Sequence, residues 1–384
     1  MSAPVIRGWC PGALRPMQSG DGLVVRIRPR GGRLTQDQAA GIAQLSREHG
    51  NGLIDLSSRA NVQLRGVSED TYPALIDGLR QLDLIDETTE QEARRNIIVS
   101  PFWQDGDETR TIAAALTQAL AAPDAPTLPG KFGFAVDCGV QPVLASASAD
   151  IRIERGANGQ LICRAEGRTT GAIVTKDTAA SVALTLAHWF VATGGAPDGR
   201  GRMARHLAPV PDQFTAVTAQ PPIERPSPGP TTRGTLIAFE FGQLTAATLE
   251  EIAKRGPLRV TPWRMVLVEG AQEMSGIAGT ITSPDAQLLN VVACTGAPAC
   301  PQALGETRLL ARALAAHIPS GTQLHVSGCT KGCARPAATE YTLVARPGDR
   351  FDLIHKGRAS DGPVKTGLTT DMLTTHPETL FKSP

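Results

Sequence analysis

Two stretches of the chain repeat one pattern of hydrophobic and polar positions. Residues 31–67 and residues 241–271 both include Gly, then Arg or Gln, then Leu and Thr, and both continue as an amphipathic helical stretch. Each then shows two short apolar runs separated by a turn, which is typical of two strands. Thr35 and Thr245 occupy the N-cap position before each helical stretch. The pattern therefore predicts two copies of one unit made of a helix and two strands.

The repetition continues downstream. A short apolar run follows Asn96 in the first half and Asn290 in the second, and an Ala/Leu-rich helical stretch comes after each run. Another strand-like run follows each helix, at residues 131–137 and residues 323–327. Internal repeats of alternating strands and helices predict mixed units. We expect an α+β architecture of two pseudo-symmetric ferredoxin-like or α/β repeats, with a ligand-binding cleft where they meet.

A proline-rich segment divides the two repeats. Residues 207–234 contain seven prolines and show little periodicity, which predicts an exposed linker. The expected organisation is an N-terminal repeat at residues 1–206, the linker at residues 207–234, and a C-terminal repeat at residues 235–384.

Composition narrows the choice of partners and compartment. The net charge is +1, so no overall field favours nucleic acid or a membrane surface, and a polyanionic ligand would need a local group of cations. The longest nearly uncharged stretch, residues 178–194, is shorter than the roughly 20 residues that span a bilayer, and we interpret it as a buried helix. The first 16 residues contain no apolar run of signal-peptide length. We expect a cytoplasmic protein.

Four of the seven cysteines fall within forty residues and form two close pairs. Cys294 and Cys300 make a C-x5-C pair, and Cys329 and Cys333 make a C-x3-C pair 28 residues further on. Both pairs follow strand-like runs and lie in turns that contain glycine. Four thiolates with nearby N–H donors suit a cuboidal iron-sulfur cluster. Structural zinc, which usually takes closer pairs, and unrelated buried thiols are the alternatives.

These two pairs, with this interval, resemble the signature of the sulfite and nitrite reductase family, and the internal repeat resembles that family's architecture. The resemblance implies that Cys294, Cys300, Cys329 and Cys333 bind one [4Fe-4S] cluster. In the members that carry siroheme, the cysteine at the position of Cys333 also bridges to the siroheme iron.

Three N-terminal motifs are similar to the groups with which this family binds its tetrapyrrole and substrate. They are a loop between strands that contains Arg59, an Arg95-Asn pair, and a Leu-Pro-Gly-Lys131-Phe-Gly133 run. The resemblance implies that Arg59, Arg95 and Lys131 bind an anionic substrate, although each could instead be a solvated surface charge. The reductases have a second lysine where this chain has Gly133, which weakens the case for reduction of a small oxyanion.

The opening of the chain points to one branch of the family. The Arg7-Gly-Trp-Cys10-Pro-Gly stretch and the Thr261-Pro-Trp-Arg264 run are similar to the branch that acts in aerobic cobalamin biosynthesis. That branch implies an oxidoreductase, a monooxygenase that hydroxylates precorrin-3A at C-20 with lactone formation, using dioxygen and an electron donor that the sequence does not identify. It implies a mononuclear non-haem iron beside the [4Fe-4S] cluster, and no siroheme.

Part of this prediction has no local motif to support it. None of the seven histidines is identified by the sequence as a ligand of the mononuclear iron. Arg26, Arg28 and Arg30 alternate along a strand-like run and could present one basic face to a polyanion, or a charged edge to water. The competing hypotheses are a siroheme-dependent sulfite or nitrite reductase, and a non-catalytic cluster or zinc protein.

Overall fold

The structure is a computed structural model that describes residues 11–381. The Arg7–Cys10 part of the opening motif therefore lies outside the described residues. In the described part the strands are β1 (Met17–Ser19), β2 (Gly22–Ile27), β3 (Arg33–Leu34), β4 (Leu53–Leu56), β5 (Val62–Val67), β6 (Ile97–Val99), β7 (Phe134–Asp137), β8 (Ile151–Arg155), β9 (Leu161–Ala165), β10 (Thr170–Ile173), β11 (Val217–Thr218), β12 (Gly229–Thr231), β13 (Gly234–Phe239), β14 (Gln243–Thr245), β15 (Leu258–Val260), β16 (Met265–Glu269), β17 (Thr280–Ile281), β18 (Val291–Ala293), β19 (Leu324–Ser327), β20 (Thr339–Arg346), β21 (Arg350–Gly357) and β22 (Lys365–Thr369).

The helices that open the two ferredoxin-like units begin at residues that cap them. Thr35 forms a capping box with Gln38, and Thr245 Oγ1 accepts a hydrogen bond from the Thr248 amide, so both predicted N-caps are confirmed. The α-helices of the described residues are α1 (Gln36–His49), α2 (Tyr72–Gln81), α3 (Thr89–Arg94), α4 (Glu108–Ala121), α5 (Ala179–Ala192), α6 (Ala246–Ala253), α7 (Arg308–Leu314), α8 (Thr370–Thr375) and α9 (Glu378–Phe381).

Two ferredoxin-like sheets form the centre of the molecule and exchange strands. The first has the order β1-β2-β5-β4-β14, and the second has the order β12-β13-β16-β15-β3, with β17 also on β13. The short strand before α1 therefore joins the second sheet, and the short strand before α6 joins the first. Helices α1 and α6 pack against each other, and the apolar side chains of both halves form one core. The exchange fixes the two halves relative to each other.

Two α/β modules flank this centre. In the N-terminal α/β module, residues 97–218, strands β6, β7 and β8 are parallel and β9, β10 and β11 continue antiparallel. In the C-terminal α/β module, residues 291–369, strands β18, β19 and β20 are parallel and β21 and β22 are antiparallel. Each module has its own apolar core.

This architecture confirms the α+β prediction of two pseudo-symmetric repeats. Part of the proline-rich segment is ordered by its neighbours: Phe214 is buried, β11 pairs with β10, and β12 pairs with β13. The domain boundaries at residues 206 and 235 stay a prediction. The uncharged stretch at residues 178–194 forms α5, and among the described residues no helix has the length and apolar character to cross a membrane.

Candidate functional site

The two cysteine pairs begin at the carboxyl ends of neighbouring parallel strands. Cys294 directly follows β18, and Cys329 comes two residues after β19. Because β18 and β19 are parallel, both cysteines lie at the same edge of the sheet, where ligands bind in open α/β sheets. The Gly328 amide donates a hydrogen bond to Cys294 Sγ at 3.1 Å, which joins the two loops. A Cβ at position 328 would lie 2.7 Å from Ala303 Cβ, so glycine permits this approach.

The loop between Cys294 and Cys300 is held from both sides. Thr307 Oγ1 donates to the Cys294 carbonyl at 2.7 Å. On the other side, the hairpin of β1 and β2 reaches the carbonyl of Ala299, which accepts from Ser19 Oγ at 2.7 Å and from the Gly20 amide at 3.0 Å. Arg65 Nη2 lies 3.4 Å from the same oxygen and also forms a bidentate pair with Asp21. The first ferredoxin-like sheet thus positions the cysteine loop.

The thiols of Cys329 and Cys333 lie close enough to the other cysteines to be affected by their charge. Burial raises the pKa of Cys333, Lys331 lowers it, and the other three cysteines raise it further. Burial likewise raises the pKa of Cys329, and Cys294 and Cys300 add to that effect. Four thiolates in one place would therefore need a cationic group to hold them, and the iron of a cluster would supply that charge.

The donor set fits a cuboidal iron-sulfur cluster. All four predicted cysteines lie at this edge, and the Gly328 amide already donates to a cysteine sulfur, as N–H groups do in cluster sites. Among residues 11–381, no three His, Cys, Asp or Glu side chains converge on a single metal ion. The mononuclear iron of the sequence analysis stays a prediction without assigned ligands.

A cavity of about 300 Å³ opens beside Cys294 and Cys333. Three arginines line it, Arg26, Arg264 and Arg308, together with one acid, Asp55. Arg308 Nη2 lies 3.5 Å from Asp55 Oδ1, and the buried Arg308 Nε makes no hydrogen bond within the described residues. The cavity therefore places excess positive charge against the cysteine loops, as a carboxylate-bearing ligand requires.

A second cavity, of about 370 Å³, adjoins the first and shares Ser58, Phe241, Arg264 and Ala334 with it. Its cations are Arg225, Arg264 and Arg335, and no acid is among its lining residues in the described chain. Burial lowers the pKa of Arg264, Asp55 raises it, and Arg308 lowers it. We call this second cavity the arginine cavity.

The structure brings two of the three predicted substrate-binding residues together and separates the third. Arg59 Nη2 donates to the Lys131 carbonyl at 3.0 Å, and the Lys131 side chain is exposed. Arg95 is buried, forms a bidentate ion pair with Asp86, and donates to the Arg28 carbonyl. None of the three lines either cavity beside the cysteines. Their role in binding stays a prediction.

The space that the family's second lysine would need is filled in this chain. A Cβ at position 133 would lie 2.7 Å from the Asn96 side-chain amide and 3.3 Å from Arg59 Nη1. The Asn96 amide is itself fixed by a 2.7 Å hydrogen bond to the Phe132 carbonyl. A longer side chain at Gly133 would therefore have to displace Asn96.

The basic run does not present one face to a ligand. Arg26 lines the first cavity and donates to Gln63 Oε1 at 2.6 Å. Arg28 is buried beside Glu92, and Arg30 lies near Asp83 at the surface. The prediction of an aligned basic face is wrong because the strand ends at Ile27 and the chain turns after it.

Sequence reasoning missed most of the cations around the cysteines. Arg264 belongs to the Thr261-Pro-Trp-Arg264 run, which by itself does not indicate a binding role. Arg335 lies two residues after Cys333, and Arg308 is the first residue of α7. Arg225 lies in the proline-rich segment, where nothing in the local sequence signals a binding residue. Tertiary packing alone brings these side chains together.

Comparison with known proteins gives one consistent result. Residues 15–82 match the nitrite/sulfite reductase ferredoxin-like half domain. The chain is 28% identical to a precorrin-3B synthase from Sinorhizobium sp, over 94% of this chain and 85% of the relative. It is 24% identical to a ferredoxin–nitrite reductase from Leptolyngbya laminosa, over 88% and 79% of the two chains.

Among solved structures, the NirA protein of Mycobacterium tuberculosis has the same fold, with a TM-score of 0.61 at 17% identity over 93% of this chain and 79% of that one. The match to the half domain, the relatives that span nearly the whole chain and the shared fold support the resemblance seen in the cysteine pairs. The chain is therefore similar to the nitrite and sulfite reductase family of oxidoreductases in one ferredoxin-like half domain, in its relatives and in its fold.

Proposed function

We propose that this protein is a precorrin-3B synthase, which hydroxylates precorrin-3A at C-20 and forms the ring-A lactone with dioxygen as oxidant. One oxygen atom of dioxygen enters the product, and the other leaves as water after uptake of two electrons and two protons. An electron donor that remains unidentified supplies the electrons. Similarity to the Sinorhizobium synthase over 94% of the chain supports this choice within the family.

The main observation in favour of the proposal is that neighbouring side chains fill the space beside Gly133. The sulfite and nitrite reductases resemble this chain but have a lysine there, and here Asn96 and Arg59 occupy the space. A small oxyanion would thus lack one of its cations. A large ligand that brings its own carboxylates would instead use the arginines of the two cavities.

Cys294, Cys300, Cys329 and Cys333 would hold a [4Fe-4S] cluster, which supplies one-electron transfer when bound. The chain's own residues then have separate tasks. Arg26, Arg264 and Arg308 bind carboxylate arms of the substrate beside the cysteines. Asp55 accepts from Gln243 at 2.9 Å and lies beside Arg308, which keeps that guanidinium oriented toward the cavity. Phe241 lines both cavities and contributes an apolar side chain to each.

Incubation with precorrin-3A, a chemical reductant and labelled dioxygen tests the reaction. We expect a product heavier than precorrin-3A by one oxygen atom, with the label derived from dioxygen and not from water. An anaerobic incubation is the control and should give no product. If cluster-replete protein never forms the labelled product, the synthase assignment is wrong.

The alternative is a siroheme-dependent sulfite or nitrite reductase, and the family relatives favour it enough to require a test. The absorption spectrum of the purified protein, with extraction of bound tetrapyrrole, separates the two functions. Siroheme in a constant ratio to the chain would support the reductase, whereas iron and sulfide without siroheme support the synthase.

A further inference from the structure

The arginine cavity contains more positive charge than its described lining residues offset. Arg225, Arg264 and Arg335 line it, and no carboxylate is among the described lining residues. Burial lowers the pKa of Arg225, and repulsion from Arg335 and Arg264 lowers it further. Because guanidinium groups stay protonated in proteins, this proximity costs free energy unless an anion offsets it.

The donors of these arginines are largely unused. Arg225 Nη2 makes one hydrogen bond, to the Trp263 carbonyl at 3.1 Å, and Arg264 Nη2 makes one long contact, to the Ala334 carbonyl at 3.4 Å. The Arg335 side chain makes no hydrogen bond or ion pair within the described residues, and its Nε is buried. A guanidinium offers five donors, so most remain available to a ligand.

Each of these arginine side chains is positioned by a different local feature of the chain. Arg264 has a positive φ of 60°, and its aliphatic stem crosses Gly242, where a Cβ would lie 2.7 Å from Arg264 Cβ. Arg335 follows the second cysteine pair, and its amide donates to the Gly332 carbonyl. Arg225 comes from the proline-rich segment; the residue as a whole is exposed, but its guanidinium is partly buried where Nη2 donates to the Trp263 carbonyl. The three arginines thus reach the cavity from three separate segments of the chain.

We propose that Arg225, Arg264 and Arg335 form a subsite for a carboxylate arm of a tetrapyrrole, and that the proline-rich segment completes this subsite by supplying Arg225. The identity of the ligand as a carboxylate-bearing tetrapyrrole rests on the proposed function. The arginine cavity shares Arg264 with the cavity beside Cys294 and Cys333. A macrocycle bound beside the cysteines can therefore extend an arm into the arginine cavity, where planar guanidinium groups bind a carboxylate in a bidentate manner.

Direct binding tests this subsite without any activity measurement. The probe is uroporphyrin III, a stable tetrapyrrole that carries acetate and propionate arms, titrated by fluorescence into cluster-replete protein. We expect Arg225→Gln to raise the dissociation constant about tenfold or more, the loss typical of a charge-assisted hydrogen bond. Arg225→Lys should recover part of the affinity, because it keeps the charge and loses the bidentate geometry.

The matched control is Arg205→Gln, an exposed arginine that precedes the proline-rich segment and lines neither cavity. This variant should bind uroporphyrin III as the unmodified chain does. Arg335→Gln is a second variant and should weaken binding with unchanged iron and sulfide content. Nitrite and sulfite, titrated alone, test small anions as the occupant. If Arg225→Gln weakens only their binding, the tetrapyrrole subsite is wrong.

The outcomes separate this subsite from the proposed reaction. If the unmodified chain forms precorrin-3B but Arg225→Gln binds uroporphyrin III with unchanged affinity, the subsite is wrong and the synthase assignment stands. If the chain never converts precorrin-3A but Arg225→Gln weakens uroporphyrin binding selectively, the reaction is wrong and the subsite stands. Failure of the unmodified chain to bind uroporphyrin III also overturns the subsite.

Discussion

The N-terminal and C-terminal α/β modules share a strand arrangement and differ in the side chains at the edge where their parallel strands end. The register pairs Ile97 with Phe134 in the first module and Val291 with Leu324 in the second. Counting from these pairs, Ser100 corresponds to Cys294, and Gly139 corresponds to Cys329. The same edge thus holds four thiols in the C-terminal module, whereas the strand end of β7 in the N-terminal module carries a single buried thiol, Cys138.

A cavity exists at this edge in both modules, but its chemistry differs. In the N-terminal module it has a volume of about 390 Å³ and is lined by Ser100, Thr109 and Asp137, with the exposed Val140 at its rim. Asp137 corresponds to Ser327, which is buried in the C-terminal module. In both modules the parallel strands form an edge where a ligand can bind. The residues at the strand ends decide which ligand that is.

The largest expected difference concerns the cysteines. Cys294→Ser should abolish the iron-sulfur cluster, because a cuboidal cluster needs all four thiolates. Cys138→Ala removes a buried thiol at the equivalent edge of the N-terminal module, where burial raises the pKa to about 12, and should leave the cluster intact. Iron, acid-labile sulfide and visible absorption after anaerobic purification measure both. If Cys294→Ser keeps full iron and sulfide content, the cluster does not lie at this edge.

The position of the cysteines at the edge of the C-terminal sheet could be predicted from the sequence. The arginines that surround them could not. Thr35, Thr245 and the apolar runs before each cysteine pair carry local patterns, so the repeats and the location of the cysteines could be read from the chain. The strand exchange could not be predicted, because β3 and β14 have two and three residues and show no periodicity. Arg225 and Arg335 meet only through tertiary packing, and no spacing rule relates them.

The family resemblance implies that Arg95 binds substrate. The residue at the equivalent position of the C-terminal half helps to assess that prediction. Counted by the same register, Arg95 corresponds to Leu289, which lines the arginine cavity. Arg95 instead pairs with Asp86, with both side chains less than a tenth exposed. Arg95→Gln leaves the buried Asp86 with only the longer contact to Arg30, at 3.7 Å, so we expect the free energy of unfolding to fall by about 3 kcal/mol.

The double variant Arg95→Gln with Asp86→Asn tests the ion pair as the cause. Because the second change removes the stranded charge, it should recover part of the stability that the first change loses. Denaturant unfolding measures the loss, and uroporphyrin III titration of the folded variant should show unchanged affinity. A variant that is as stable as the unmodified chain but no longer binds uroporphyrin III would instead make Arg95 a ligand-binding group.

The smallest expected effect is a difference between Asp137 and its counterpart Ser327 in how each affects the pH dependence of stability. Burial raises the pKa of Asp137, and hydrogen bonds from the Leu144 and Val143 amides lower it less. The folded chain therefore binds this proton more tightly than the unfolded chain, whose ordinary value is 3.8. The stability gained from the protonated group is fully present below that value and is lost as the pH rises through the folded pKa.

Asp137→Asn cannot ionise, and its amide oxygen can still accept from the Val143 and Leu144 amides, which donate to Asp137 Oδ2 at 2.6 and 2.8 Å. The free energy of unfolding of this variant, relative to that of the unmodified chain, should therefore increase as the pH rises from below 3.8 through the raised pKa of the folded Asp137. Ser327→Ala is the matched control in the C-terminal module, and because serine does not titrate, its offset should be the same at every pH. A constant offset for Asp137→Asn would mean that Asp137 titrates alike in the folded and unfolded chains, and the chemical contrast between the two strand edges would then rest on the cysteines alone.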